Sequence, residues 1–239
     1  MTLPRILLAL SLAASALPAL ANVTLFADTF DTGASAAWGN ERGQWRAADG
    51  SYDASLPSNS PTTYSSVTTL TALTDFTVEV DVNNWNDGGV WLRSSFSGGL
   101  ASGVLLVTGG SGGSYNGLYW HTVSNDAYAA PSGHLSIAGI QGGNRHLTIS
   151  VSGNQYTACV GSDCSTLSSS LFASGSVGLY DFSPVSKQSS PRGQTFDNFH
   201  VTVVPEPSKA MLTLAGLALI GIALRASQAR ARWTPIRGS

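Results

Sequence analysis

Apolar and polar residues alternate along most of the interior of the chain. In FTVEVDV (Phe76 to Val82) a phenylalanine and three valines occupy every second position. GVWLRSS (Gly89 to Ser95), VLLVT (Val104 to Thr108), GLYWHT (Gly117 to Thr122) and HLTISV (His146 to Val151) have the same texture. Side chains of a strand point to opposite faces in turn, so a period of two marks strands with one face in a core. Clusters of Gly, Asn, Ser and Asp separate the runs, among them Asp49-Gly50, Asp87 to Gly89 and Ser152 to Asn154. The last predicts a hairpin that turns HLTISV back onto QYTACV. No interior stretch carries a helical period, so the pattern predicts an all-β unit of about ten to twelve short strands, a two-sheet antiparallel sandwich of the jelly-roll kind. TTLTALT (Thr68 to Thr74) does not extend into a repeat, and no solenoid is expected.

Both ends depart from this texture. Residues 1–21 carry one cation, Arg5, then an apolar stretch from Ile6 to Ala16, then Ala19-x-Ala21, which reads as a secretory signal peptide cut before Asn22. Residues 205–239 hold a second apolar run, Ala210 to Leu224, followed by Arg225, Arg230, Arg232 and Arg237. As a helix this run is about 20 Å long against a hydrocarbon core of about 30 Å, and the arginines hold its far end in the cytoplasm. A single-span anchor is the plain reading. The central segment, residues 22–204, is then a secreted domain.

Composition sharpens that division. Only 11% of the 239 residues are charged, and the 43% hydrophobic content is inflated by the two ends. The central segment has six basic side chains against thirteen acidic ones, a net charge of −7. Such a surface disfavours nucleic acid and anionic membranes, which need clustered cations. Two cysteines, Cys159 and Cys164, enclose four residues within a predicted hairpin, and in a secreted protein this spacing predicts a disulfide.

Pro205-Glu206-Pro207, the apolar helix 210–224 and the arginine cluster stand in an order that resembles the PEP-CTERM sorting signal of Gram-negative bacteria. The resemblance covers about 30 residues and implies an exosortase-type membrane protease as partner, a transient inner-membrane stage, and delivery to the cell surface or extracellular matrix. The segment after the helix, Ala226 to Ser239, is longer than that family's short basic end. The strand textures of the central segment, from LFADTF (Leu25 to Phe30) to TFDNFHVTV (Thr195 to Val203), resemble concanavalin-like and laminin G-like jelly rolls. That likeness implies two curved sheets with first and last strands adjacent.

Strand parity nominates a ligand face. Glu79 and Asp81 point away from Val78, Val80 and Val82; Trp91 and Arg93 oppose Val90 and Leu92; Tyr119 and His121 oppose Leu118 and Trp120. If these outward sets share one sheet, rings for stacking and polar groups for hydroxyls meet there, a composition that suits a glycan or extracellular polysaccharide. An ordinary solvated sheet face has the same composition. Asp28 and Asp197, at matching points of the opening and closing strands, are candidate calcium ligands, or else turn caps. Glu79-Val80-Asp81 resembles the start of the ExDxxE motif of laminarinase-type glucanases, but Asn84 stands where the second glutamate belongs, and a retaining hydrolase needs two carboxyl groups. The sequence therefore favours a non-catalytic glycan-binding surface or matrix protein. A structural coat protein without specific ligand is the alternative, and a glycoside hydrolase comes third.

Overall fold

The computed structural model describes residues 22–109, 116–182 and 193–203. The expected signal peptide 1–21, the sorting tail 205–239 and its helix 210–224 lie outside these residues, as do Pro205, Glu206, Pro207, Arg225, Arg230 and Arg232. Fifteen strands form among the described residues: β1 (Val23–Asp28), β2 (Trp45–Ala48), β3 (Ser51–Ala54), β4 (Ser65–Ser66), β5 (Phe76–Asn83), β6 (Gly88–Ser97), β7 (Leu100–Val107), β8 (Gly117–Ser124), β9 (Ala127–Tyr128), β10 (Ser132–Ser136), β11 (Arg145–Ser152), β12 (Gln155–Val160), β13 (Asp163–Ser168), β14 (Ser176–Asp181) and β15 (Thr195–Val203).

They make two antiparallel sheets. The first runs β13-β12-β11-β5-β15-β3-β2 with β1 also on β15; the second runs β10-β8-β7-β6-β14-β4 with β9 on β8. The alternation in each strand decides what fills the space between them. Val78, Val80, Val82, Leu147, Ile149 and Tyr156 of the first sheet meet Val90, Leu92, Val104, Leu106, Leu118, Trp120 and Leu179 of the second in one buried cluster. Across the gap at one side, the Trp120 indole N–H donates to Ser165 Oγ at 2.8 Å, and that hydroxyl donates in turn to the Gly133 carbonyl. This links β8 and β10 of one sheet to β13 of the other.

β1 and β15 pair from Val23↔Val203 to Asp28↔Phe199, so the opening and closing strands are neighbours. The Ser152–Asn154 turn joins β11 to β12 with Val151 opposite Tyr156. Cys159 and Cys164 face each other across β12 and β13 and are disulfide-bonded.

The outer face of the first sheet is a hydroxyl surface. Thr24, Thr202, Thr77, Ser150, Thr157 and Thr166 stand opposite one another across six strands. Strands turn by roughly 20–25° from one neighbour to the next, so such a row winds rather than lying flat.

Candidate functional site

The structure divides the six residues that parity nominated. Glu79 and Asp81 lie on β5, on the outer face of the first sheet, whereas Trp91, Arg93, Tyr119 and His121 belong to β6 and β8 of the second. Alternation fixes a residue's side of its own strand and carries no information about which sheet that strand joins. The single face expected from sequence therefore does not exist. Asp81 takes part in a surface network: its Oδ1 lies 2.7 Å from His146 Nδ1, and its Oδ2 accepts from Asn198 Nδ2 at 2.8 Å. Glu79 stands between Thr148 and His200 of the adjoining strands. Asn84 leaves the strand with φ of 53°, and its amide donates to the Gly193 carbonyl at 3.2 Å. The glucanase-like pattern thus ends at Asp81.

Trp91 and Arg93 are corrected further, because neither reaches solvent. Trp91 does point out of the second sheet, but the segment before β4 covers it. Its indole N–H donates to the Thr63 carbonyl at 3.3 Å, and it packs in a second apolar cluster with Tyr64, Leu105, Val107, Val123 and Tyr180. The cover is pinned to β14: the Thr63 hydroxyl donates to the Asp181 carbonyl at 2.6 Å and accepts from the Asp181 N–H at 2.8 Å. Burial pushes the Tyr64 hydroxyl up to about 12.

Arg93 breaks parity itself. The β6–β7 register shifts between Leu92 and Ser95, and Arg93 adopts φ of 44°, so a bulge re-aims its side chain toward the first sheet. It is 3% exposed, donates to the carbonyls of Thr74, Gly153 and Phe172, and lies over the Tyr156 ring at 5.3 Å.

Asp28 is a turn cap. Its Oδ1 accepts from the Phe30 N–H at 3.0 Å, and its Oδ2 accepts from the Ser35 N–H at 2.7 Å and the Trp38 indole at 2.9 Å. Asp197 Oδ1 accepts from the Asn198 N–H at 2.6 Å, and burial raises its pKa. The N–H donors on Asp28 and the local bond of Asp197 match the turn-cap alternative. Among the described residues no cluster of three or more His, Cys, Asp or Glu side chains is arranged to hold a metal.

Beside the covered tryptophan, the same outer face opens into a cleft of ≈ 550 Å³. Tyr119 and His121 come from β8, Tyr128 from β9, Tyr180 from β14 and Val107 from β7, while Asn59, Ser60 and Pro61 form the opposite lip. His121 lies edge-on between the Tyr119 and Tyr128 rings, at 5.4 and 5.1 Å, and its Nδ1–H donates to the Ala129 carbonyl at 2.8 Å. Carboxylates mark two points of the cleft, Asp87 before β6 and Asp126 in the β8–β9 turn. Of this group, sequence reasoning had named Tyr119 and His121; Asp87 lay in plain view within a turn motif.

The two carboxylates differ electrostatically. Burial tends to raise Asp126, but two hydrogen bonds from Arg42, at 2.8 and 2.6 Å, one from the Ala101 N–H, and the Arg42 charge outweigh it and lower its pKa. For Asp87 burial prevails and lifts it from 3.8 to about 6. A raised carboxyl pKa means that the folded state binds the proton more tightly than the unfolded chain. Stability from this group is therefore greatest below the ordinary value and falls as pH rises through the window from 3.8 to about 6. Asp87→Asn should stabilise the protein above pH 6 by roughly 1–3 kcal/mol, with the gain vanishing near pH 3.5. Urea unfolding of both proteins across this range checks it; a variant less stable at neutral pH would refute the assignment.

No protein-family model matches the chain, and neither does any curated protein. Solved structures share its architecture. An endo-acting O-glycanase of the human gut microbiota aligns with TM-score 0.53 at 12% identity, over 82% of this chain and 95% of that one. The carbohydrate-binding module CBM66 of Bacillus subtilis gives 0.45 at 14%, over 70% and 91%, and LamA of Z. galactanivorans in complex with laminaritriose and laminaritetraose gives 0.46 at 10%, over 76% and 99%. At 12% identity the likeness to the O-glycanase is one of fold.

Proposed function

We propose that this chain is an exported, non-catalytic glycan-binding protein of a bacterial cell surface or extracellular matrix, which binds polysaccharide through the Asp87–Tyr119–Tyr128–Tyr180 cleft. The observation that carries the reading is a half-buried carboxylate, Asp87, lining one cleft with Tyr119, Tyr128 and Tyr180. Sugar rings have an apolar C–H face that lies against tyrosine and a rim of hydroxyls that donate to carboxylates, so this cleft supplies both kinds of contact. The endo-acting O-glycanase of like fold is itself a protein that acts on glycan, which fits the reading. Delivery belongs to the same proposal: residues 1–21 export the chain, and Pro205-Glu206-Pro207 with helix 210–224 and Arg225, Arg230 and Arg232 form an exosortase-type sorting signal. Mass spectrometry of the exported protein should find Asn22 as the first residue; an intact Met1 would refute export by cleavage.

The binding test is retention of the purified protein in gels containing laminarin, xylan, galactan or alginate, with Tyr119→Ala and Tyr128→Ala beside the wild type. Losing one stacking ring should weaken retention about tenfold, equivalent to ~1.4 kcal/mol, in variants that remain folded at the assay temperature. A folded protein that no polysaccharide retards would return the assignment to a structural coat protein.

A further inference from the structure

We propose that the same sheet face carries a second subsite, the groove of Thr71, Ser95, Ser174 and Ser176 beside Glu41, so that the ligand is the interior of a linear polysaccharide and not a lone terminal sugar. The inference rests on the glycan reading of the cleft and extends it to the class of glycan.

The groove has a volume of ≈ 380 Å³ and is formed where β6 ends and β14 begins. Its hydroxyls fall into two groups. Ser66 donates to Glu41, Thr68 to the Ala37 carbonyl and Ser94 to the Ser176 carbonyl, so these three serve the fold. Thr71, Ser95 and Ser174 are exposed, and their side chains make no hydrogen bond among the described residues, whereas Ser176 lies buried at the floor. Glu41 is held by Ser66, whose N–H donates to Oε2 at 3.0 Å and whose hydroxyl donates to Oε1. A fixed carboxylate, with a further lone pair on each oxygen, and three exposed hydroxyls make a surface for a neutral polyhydroxylated ligand.

The two rings at this groove, Tyr64 and Phe96, are engaged with each other and with Arg42. Phe96 has Tyr64 stacked on it at 5.2 Å and the Arg42 guanidinium at 5.3 Å. Recognition in the groove is therefore by hydrogen bonds, whereas the cleft adds tyrosine rings.

Continuity between the two comes from one ion pair. Asp126 lines the cleft, its partner Arg42 sits over Phe96, and Phe96 lines the groove. Strand β6 runs beneath, from Gly88 next to Asp87 to Phe96, about 25 Å at the usual rise per residue. A single sugar fits one concavity and leaves the other empty; a chain of several residues crosses the Arg42–Asp126 pair and occupies both. Joining two weak contacts through one ligand multiplies affinity without any new contact within either.

The test uses the purified full chain and oligosaccharides of about two to ten residues cut from laminarin, xylan, galactan and alginate, titrated by calorimetry. Affinity should rise at least tenfold from the shortest to the longest members of the series that binds. In the Ser95→Leu/Ser174→Leu double variant, which removes two exposed hydroxyls and fills the groove, that difference should disappear, with an unchanged thermal midpoint as the folding control. Equal affinity at all lengths, or a length dependence that survives in the double variant, overturns the second subsite and leaves the cleft reading standing. Failure of every series at every length overturns the cleft reading itself.

Discussion

Replacing Trp91 by alanine should lower the stability of the protein by about 3–5 kcal/mol, the range for truncating a large aromatic ring in a core. The ring is fully buried between the second sheet and the segment leading to β4, against Tyr64, Leu105, Val107, Val123 and Tyr180. Its loss leaves a cavity that these neighbours cannot close, because Tyr64 is held by its hydrogen bond to Ser94 Oγ at 2.9 Å and Thr63 is tied to Asp181. The Thr63 carbonyl also loses its indole donor. For a domain of this size the thermal midpoint should fall by about 10 °C. Trp91→Phe, which keeps most of the apolar area, should recover more than half of that. If the ring instead faced a ligand, Trp91→Ala would lose polysaccharide retention at an unchanged midpoint, and that result would overturn the description of the face as a covered cluster. The experiment also separates the two roles available to an outward aromatic, since parity alone assigns both to the same position.

The strands themselves were legible because period-two alternation is a local property. FTVEVDV, GVWLRSS, GLYWHT and HLTISV lie wholly in strands and VLLVT does so up to Val107, and Val78, Val80, Leu147, Ile149, Val90 and Leu92 all face the shared core. Two of the strands beyond the expected ten to twelve, β4 and β9, have two residues each, too few to show a period. Three other things lay beyond the pattern. Sheet membership is set by long-range pairing, which separated Glu79 and Asp81 from Tyr119 and His121. Cover is set by a segment without periodicity, Asn59 to Tyr64, which turned an outward Trp91 into a buried one. Register across strands is likewise invisible in the linear chain, and the row from Thr24 to Thr166 exists only once six strands are aligned. The cleft combines these limits, since Asp87 and Asp126 sit in turns whose sequences mark a change of direction and nothing about what the turn encloses.

Arg93→Ala should be the second large loss, about 3–5 kcal/mol, for a different reason. The guanidinium is an internal fastener: Nε and Nη2 donate to the Thr74 carbonyl at 2.9 and 2.6 Å, Nη2 also to the Gly153 carbonyl at 2.7 Å, and Nη1 to the Phe172 carbonyl at 3.0 Å and the Tyr156 hydroxyl at 3.3 Å. These acceptors belong to the segments before β5, between β11 and β12, and before β14, so one side chain of the second sheet gathers three connections. The charge is tolerated because carbonyl dipoles surround it and Asp75 Oδ1 lies 3.5 Å away, although that carboxylate is largely exposed and contributes little. Alanine would leave the carbonyls without their donors and a void above the Tyr156 ring. Lysine keeps the charge but presents a compact ammonium that cannot span three carbonyls at once, so Arg93→Lys should recover only part of the loss. Urea unfolding of the three proteins at pH 7 checks the order, wild type above lysine above alanine. At a temperature where all remain folded, polysaccharide retention should be the same in each, because this arginine faces the gap between the sheets. Weakened retention by a fully folded Arg93→Lys protein would place the guanidinium at the ligand and overturn the internal role.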